Sequence, residues 1–273
     1  MKNIRADLHI HTGLSPCASD EMTPPAIVQA ALDRGLGMIA ICDHNSAGNA
    51  AAAQEAAGGR LAVVAGVEIT TAEEVHVVGL FPDAASAQAA AEAVKATLPE
   101  STAASRKFGE QRLMDAAGRV VGRERKMLSG ASALGLSAAV ALIKRHGGLA
   151  VAAHVDRPRF SVLSQLGLFP TEAGFDAVEV FSPSPLEGEG WGEGGRSPSP
   201  LEGEGWGEGG VGVGPRVVKQ PYADWGLPVL ASSDSHFLTE IARVWSVCRM
   251  YAATFEELAL ALRGLGGREV RCA

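Results

Sequence analysis

The sequence predicts a single α/β domain whose strands are mostly parallel and are joined by crossover helices. Short apolar runs rich in Val, Ile and Ala alternate along the chain with amphipathic stretches. With 273 residues, 47% of them hydrophobic, the chain is long enough to bury a sizeable core. Either an open sheet or a closed barrel satisfies this pattern. Residues 97–135 fit the rhythm poorly, so we expect a small insertion there.

The elements follow one another in a regular order. After a first strand at "IRADL", a helix begins at the N-cap Thr23 with Pro24 in its first turn and ends before Gly35. The same signals predict the remaining elements: strand "GMIAIC", a helix over roughly 47–57, strands "LAVVAGV" and "VHVVGL", a helix from about Ala84, helix "LSAAVALIKRHGG", and strands "LAVAA", "FDAVEVF" and "LPVLAS".

A tandem repeat interrupts this pattern. The run "SPSPLEGEGWGEGG" starts at Ser182 and recurs from Ser197, and its low apolar content predicts a disordered low-complexity loop over 182–214. A partner-binding role for Trp191 and Trp206 is the alternative. The loop holds six glutamates and one arginine, so it carries five of the seven net negative charges. The nearly neutral remainder gives no electrostatic footprint for long duplex nucleic acid.

No membrane or export signal is visible in the sequence. The N-terminus has no apolar stretch of signal-peptide type, and no later apolar run reaches membrane-spanning length. The four cysteines form no C-x-x-C pair, so neither a zinc knuckle nor a disulfide framework is indicated. We expect a cytoplasmic protein without a membrane partner.

Six of the seven histidines lie at strand ends, together with three acids. Functional groups collect at the carboxyl ends of the strands in α/β proteins. Each residue alone could be an ordinary core or turn residue, but five separate strand ends would not gain imidazole and carboxylate by chance. These side chains suit catalytic Zn, Mn or Fe, and they outnumber one tetrahedral shell. The candidates are His9, His11, Asp43, His44, Glu68, His76, His154, Asp234 and His236.

The order H-x-H, D-H, E, H, H and D-x-H resembles the polymerase and histidinol phosphatase (PHP) domain family over most of the chain outside the repeat. The resemblance implies a distorted (β/α)7 barrel of TIM-like type, two or three divalent ions and metal-dependent phosphoesterase activity. It also implies three ligand sets: His9, His11, Glu68 and Asp234 for one ion, Glu68, His76 and His154 for a second, and His44 and His236 for a third.

The loop after the H-x-H motif departs from the family pattern. The family commonly has an acid five residues after the second histidine, where this chain has Pro16. Asp20 or the thiolate of Cys17 is the expected substitute, and the third ion depends on it. Asp7 and Asp43 are interpreted as acids that orient ligating imidazoles.

The expected chemistry follows from the ions. They lower the pKa of a bridging water and hold phosphoryl oxygens, so the attack needs no protein nucleophile. The catalytic candidates are Glu68, His154, Asp234 and His236, with His154 or His236 protonating the leaving oxygen. Arg157 and Arg159 are the candidate phosphate-binding residues.

Three functions fit these residues. The first is a hydrolase of phosphomonoesters or small phosphodiesters, with nucleotides among the candidate substrates. The second is a 3'-to-5' exonuclease acting on short single-stranded oligonucleotides, because the scissile group is the same. The third is a non-catalytic binding module that keeps metal for stability.

Overall fold

A computed structural model describes residues 1–102, 109–181 and 225–273. The predicted disordered loop at 182–214 lies outside the described residues. The strands are β1 Lys2–Ile10, β2 Met38–Ile41, β3 Ala62–Thr70, β4 His76–Phe81, β5 Arg112–Met114, β6 Val120–Arg123, β7 Leu149–Ala152, β8 Ala177–Val180, β9 Val229–Ala231, β10 Ser246–Met250 and β11 Glu269–Cys272. The α-helices are α1 Pro24–Asp33, α2 Ala50–Ala57, α3 Ala84–Lys95, α4 Leu136–Arg145, α5 Val162–Leu166 and α6 Phe255–Leu262.

A single sheet of nine strands organises the described residues, in the order β11-β10-β1-β2-β3-β4-β7-β8-β9. All seven strands predicted from the sequence are present in it, and β10 and β11 extend it. The sheet curls until its ends meet: Ile10 forms a parallel bridge with Ser235, and the Cys272 thiol approaches the Val229 carbonyl oxygen at 3.6 Å. The predicted α/β barrel-like fold is therefore confirmed, with nine strands in a nearly closed sheet.

The sheet is mixed rather than mostly parallel. β4 runs antiparallel to both β3 and β7, and β10 is antiparallel to β1 and β11. Only residues 71–75 connect β3 to β4, which is too short for a crossover helix, so the two strands form a hairpin. This reversal places His76, the first residue of β4, opposite Thr70 at the end of β3. His76 thereby reaches the edge where the parallel strands end.

Two apolar cores lie on opposite faces of the sheet, because neighbouring residues in a strand point to opposite sides. In β2, Ile39 and Ile41 pack in the same cluster as Ile27 of α1, whereas Met38 and Ala40 belong to the other cluster. In the described part of the chain, no helix is both long and apolar enough to cross a membrane.

Within residues 97–135, where the sequence predicts an insertion, β5 and β6 form a separate hairpin. Asn49, fully buried at the start of α2, joins this hairpin to the loop after β1. Its side-chain amide donates to Thr12 Oγ1 at 2.8 Å and to the Arg112 carbonyl at 3.0 Å, and its oxygen accepts from the Met114 N–H at 2.9 Å. One side chain thus fixes the hairpin against the end of β1.

Asn49→Ala is expected to lower the free energy of unfolding by about 2 kcal/mol or more, because it leaves buried hydrogen-bonding groups without partners. Urea unfolding measures this change. Asn3→Ala is the matched control, since Asn3 is exposed on β1, and we expect a change within about 0.5 kcal/mol. Equal effects of the two substitutions would contradict the role given to Asn49.

Candidate metal centre

Eight of the nine predicted ligands, all except Asp20, converge at one end of the sheet, and Glu68 lies at their centre. Its Oε1 atom is 2.7 Å from His76 Nδ1, 3.2 Å from His154 Nε2 and 3.5 Å from His9 Nε2. Its Oε2 atom is 2.9 Å from His44 Nδ1 and 3.4 Å from His11 Nε2. Glu68 holds this position because β3 is in the middle of the sheet, where one carboxylate reaches imidazoles from both sides.

Asp234 forms the second carboxylate of the centre. Its Oδ1 atom is 2.9 Å from His11 Nε2 and 3.5 Å from His9 Nε2. The residue lies three positions after the end of β9 and has a left-handed φ of +49°, an uncommon conformation for a residue other than glycine. The closure of the sheet next to β1 therefore brings Asp234 to the two histidines of the H-x-H motif.

The donor atoms form three overlapping groups, and within each group all atoms lie within 4.8 Å of one another. The groups are His9, His11, Glu68 and Asp234; His44, Glu68 and His76; and His11, His44 and His236. The first group is the ligand set that the resemblance implies. In the second, His44 joins Glu68 and His76, while His154 lies beside them with its Nε2 atom 3.3 Å from His76 Nδ1.

The donor atoms fit a cation better than they fit one another. Within the described part of the chain, His9 Nε2, His44 Nδ1 and Glu68 Oε2 are buried without a hydrogen-bond partner. His44 Nδ1 and Glu68 Oε2 are 2.9 Å apart, yet their alignment makes no hydrogen bond. Buried polar atoms are nearly always paired. Nitrogen and oxygen donors that converge in this way are suited to divalent metal ions.

The electrostatics keep both carboxylates ionised. Burial acts to raise the pKa of Glu68, but the neighbouring His76, His9 and His44 hold it well below its usual range. Burial also acts to raise the pKa of Asp234, but the neighbouring His9 and His236 hold that pKa well below its usual range. The centre therefore presents two anionic ligands among its imidazoles at neutral pH.

Glu179 contacts two of the predicted ligands, and the sequence analysis missed it. Its Oε2 atom accepts from His9 Nδ1 at 2.9 Å and from the His154 backbone N–H at 3.2 Å. The bond to Nδ1 fixes the imidazole so that Nε2 faces the other donors, as metal-ligating histidines require. The available signal was a single charged residue in the otherwise apolar strand β8, "AVEV".

The two acids interpreted as imidazole partners act differently. Asp7 accepts from Ser233 and from the Ala242 N–H, and it does not touch an imidazole. Asp43 accepts from the Ser15 hydroxyl at 2.7 Å, and Ser15 is 2.9 Å from His11 Nδ1. The interpretation is therefore wrong in detail for Asp7, which anchors the segment after β9 that carries Asp234. Asp43 reaches His11 through Ser15.

The loop after β1 leaves Asp20 outside the centre. Its carboxylate is 65% exposed and pairs with Arg112 at 2.8 Å. Cys17 instead lies beside His44 and His236. Burial acts to raise the pKa of the Cys17 thiol, but these two imidazoles lower it to about 6.

Asp20→Asn is expected to leave metal content unchanged, because an exposed ion pair is all that is lost. Asp234→Asn carries the same chemical change into the buried centre and should lower metal content. Elemental analysis of both variants after identical purification makes the comparison. A loss of metal in Asp20→Asn would show that the loop closes onto the centre.

The two predicted phosphate-binding arginines differ in placement. The Arg157 guanidinium contacts Asp234 Oδ2 and lies 4.1 Å from the centroid of the Phe181 ring. Arg159 is exposed on the same loop, two residues further on. Arg157 thus places positive charge directly beside the centre.

The fold and the site together define a barrel-like domain with a histidine and carboxylate centre at the ends of its strands. A family model described as PHP-associated matches residues 217–264. The chain is 40% identical over 84 residues to the 5'-3' exoribonuclease Rnm of Escherichia coli strain K12, a match that covers 28% of this chain and 27% of that protein. Both matches confirm the predicted resemblance to the PHP family.

Solved structures agree with this fold. The lesion-specific endonuclease PfuEndoQ of Pyrococcus furiosus matches with a TM-score of 0.64 at 18% identity, over 98% of this chain and 58% of that one. A complex of endonuclease Q with a 27-mer duplex substrate, with an abasic lesion at the active site, matches similarly, with a TM-score of 0.63 at 18% identity over the same shares of the two chains. A Bifidobacterium adolescentis protein described as a metal-dependent phosphoesterase matches with a TM-score of 0.52 at 19% identity, over 85% of this chain and 87% of that one. The chain spans less than two thirds of the exoribonuclease and of the endonuclease.

Proposed function

We propose that this protein is a metal-dependent hydrolase of phosphoric esters, acting on phosphomonoesters or small phosphodiesters. The observation that carries the proposal is the convergence of seven other predicted ligands around the buried Glu68, with Arg157 beside them. The descriptions of the similar proteins, an exoribonuclease, an endonuclease and a metal-dependent phosphoesterase, support the same class of reaction. The cytoplasmic location stays a prediction.

Each group of side chains has a part in this mechanism. Two or three ions, with Mn, Fe or Zn as the candidates, would be held by His9, His11, His44, Glu68, His76, His154, Asp234 and His236. When bound, such ions activate water and neutralise charge on the phosphoryl group. Glu179 fixes the His9 tautomer, and Arg157 offers its guanidinium to a phosphate oxygen. His236 can donate a proton only while it does not hold an ion. Of the two proposed proton donors it is better placed, because its side chain is 20% exposed whereas that of His154 is 3% exposed.

An exonuclease acting on short single strands is the second candidate. The 40% identical segment shared with an exoribonuclease favours it. That relative is named for 5'-to-3' polarity, opposite to the polarity predicted for this chain. Analysis of the first product released from an oligonucleotide labelled at one end determines the polarity.

A substrate panel separates these candidates from a non-catalytic module. The protein supplied with Mn is assayed on an aryl phosphate, on an aryl ester of a nucleotide and on a single-stranded oligonucleotide, each with and without EDTA. The proposal expects EDTA-sensitive hydrolysis of the small esters. An exonuclease would prefer the oligonucleotide, and its affinity for that substrate would fall steeply as the salt concentration rises. Metal binding without any hydrolysis would contradict the proposal and favour the module.

A further inference from the structure

An exposed aromatic ring lies against the candidate metal centre without any role in holding it. Phe160 is 40% exposed, and its ring stacks on the His76 imidazole with centroids 4.7 Å apart and planes inclined by 12°. Among the described residues, the only phenylalanines with such exposure are Phe160 and Phe237, and Phe237 directly follows His236. Exposed phenylalanine in the described structure is thus confined to neighbours of predicted ligands.

The backbone holds Phe160 in an unfavourable conformation. Its φ is +57°, a left-handed value that is a genuine outlier for a bulky residue and costs free energy. The Phe160 carbonyl accepts from the His76 N–H at 2.8 Å, and the Ser161 hydroxyl donates to the Arg157 carbonyl at 2.8 Å. Glycine or asparagine would fit this backbone with less strain, and an aliphatic side chain would cover His76 equally well. A shielding role therefore does not account for an aromatic ring here.

The same short loop carries positive charge. Arg157 contacts Asp234 at the centre, and the exposed Arg159 immediately precedes Phe160. A phosphate held at the centre would thus lie next to a rigid, flat and partly exposed ring. Base–aromatic stacking tolerates any base, because every base has a π-face.

We propose that Phe160 is a stacking platform for a nucleobase, so that the ester hydrolysed here belongs to a nucleotide or to the end of an oligonucleotide. This inference rests on the proposed function for the position of the phosphate. It adds a binding site for the base, formed by the exposed part of the Phe160 ring, beside the phosphate site formed by Arg157 and the metal ligands.

The test compares two ligands that share a phosphate and a ribose. The phosphonate analogues of adenosine 5'-monophosphate and of ribose 5-phosphate, in which a methylene group replaces the ester oxygen so that neither can be hydrolysed, are titrated calorimetrically into the metal-loaded protein. We expect the nucleotide to bind on the order of tenfold more tightly. Phe160→Leu should bring this ratio close to one, and Phe160→Trp should keep or raise it. Tyr251 directly follows β10, and its exposed ring packs against the Arg268 guanidinium. Tyr251→Leu removes this ring and should leave the ratio unchanged.

The outcomes distinguish the two proposals. Equal affinities in the unsubstituted protein, or an unchanged ratio in Phe160→Leu with normal metal content, would overturn the platform while leaving the hydrolase intact. If Phe160→Leu does not fold, the ratios of the unsubstituted protein and of Phe160→Trp still decide. A clear base preference without hydrolysis of any ester would keep the platform and overturn the proposed function.

Discussion

Glu68→Gln is expected to abolish turnover and to remove most of the bound metal. Among the described residues, Glu68 is the one carboxylate within 3.5 Å of five imidazole nitrogens, those of His9, His11, His44, His76 and His154. Glutamine keeps the size of the side chain but removes the negative charge shared by the ligand groups. We expect hydrolysis of an aryl phosphate to fall on the order of a thousandfold.

The control for this variant is Glu73→Gln. Glu73 is exposed and accepts from the Leu136 N–H, a bond that a glutamine oxygen retains. The Glu73→Gln variant should keep both its bound metal and its turnover. Circular dichroism of Glu68→Gln should match that of the unsubstituted protein. If Glu68→Gln unfolds while Glu73→Gln does not, the carboxylate is structural, and the binding-module hypothesis gains support.

Glu179→Gln is expected to weaken metal binding on the order of 10- to 100-fold, as other carboxylates that support ligating histidines do. The glutamine oxygen can still accept from His9 Nδ1 and from the His154 N–H, so the geometry should persist. The lost charge makes the His9 imidazole a weaker donor. Metal titration followed by turnover measures the effect, and excess metal should restore much of the activity.

This rescue identifies Glu179 as a positioning residue. A metal affinity equal to that of the unsubstituted protein would show that the hydrogen bond, and not the charge, is what His9 needs. A loss of turnover that excess metal does not restore would place Glu179 closer to the reaction. Glu172→Gln is the control, since Glu172 is an exposed acid that contacts Thr171.

The sequence predicted the location of the centre because its signal is local. Seven of the nine strands of the sheet were visible as apolar runs, and the candidate ligands lie at or near the ends of these runs. Short strands with partly exposed faces carry a weaker signal, so β10 and β11 were missed. The antiparallel turn of β4 was also missed, although the five-residue connection from β3 to β4 excludes a helix.

The contacts that depend on distant parts of the chain could not be predicted. Glu179 meets His9 across 170 positions of sequence. Asp20 was expected to reach the centre on the grounds of chain proximity, but Arg112 from the β5–β6 hairpin pairs with it instead. The strained Phe160 backbone is fixed by its bond to His76, which no sequence pattern reports.

The central claim is that these side chains form a catalytic metal centre. The most direct measurement is the elemental metal content of protein purified without chelators, followed by aryl phosphate hydrolysis with Mn before and after EDTA. We expect two or three ions per chain and turnover that EDTA abolishes and added metal restores. A chain that binds no metal and shows no turnover when Mn, Fe or Zn is supplied would contradict it.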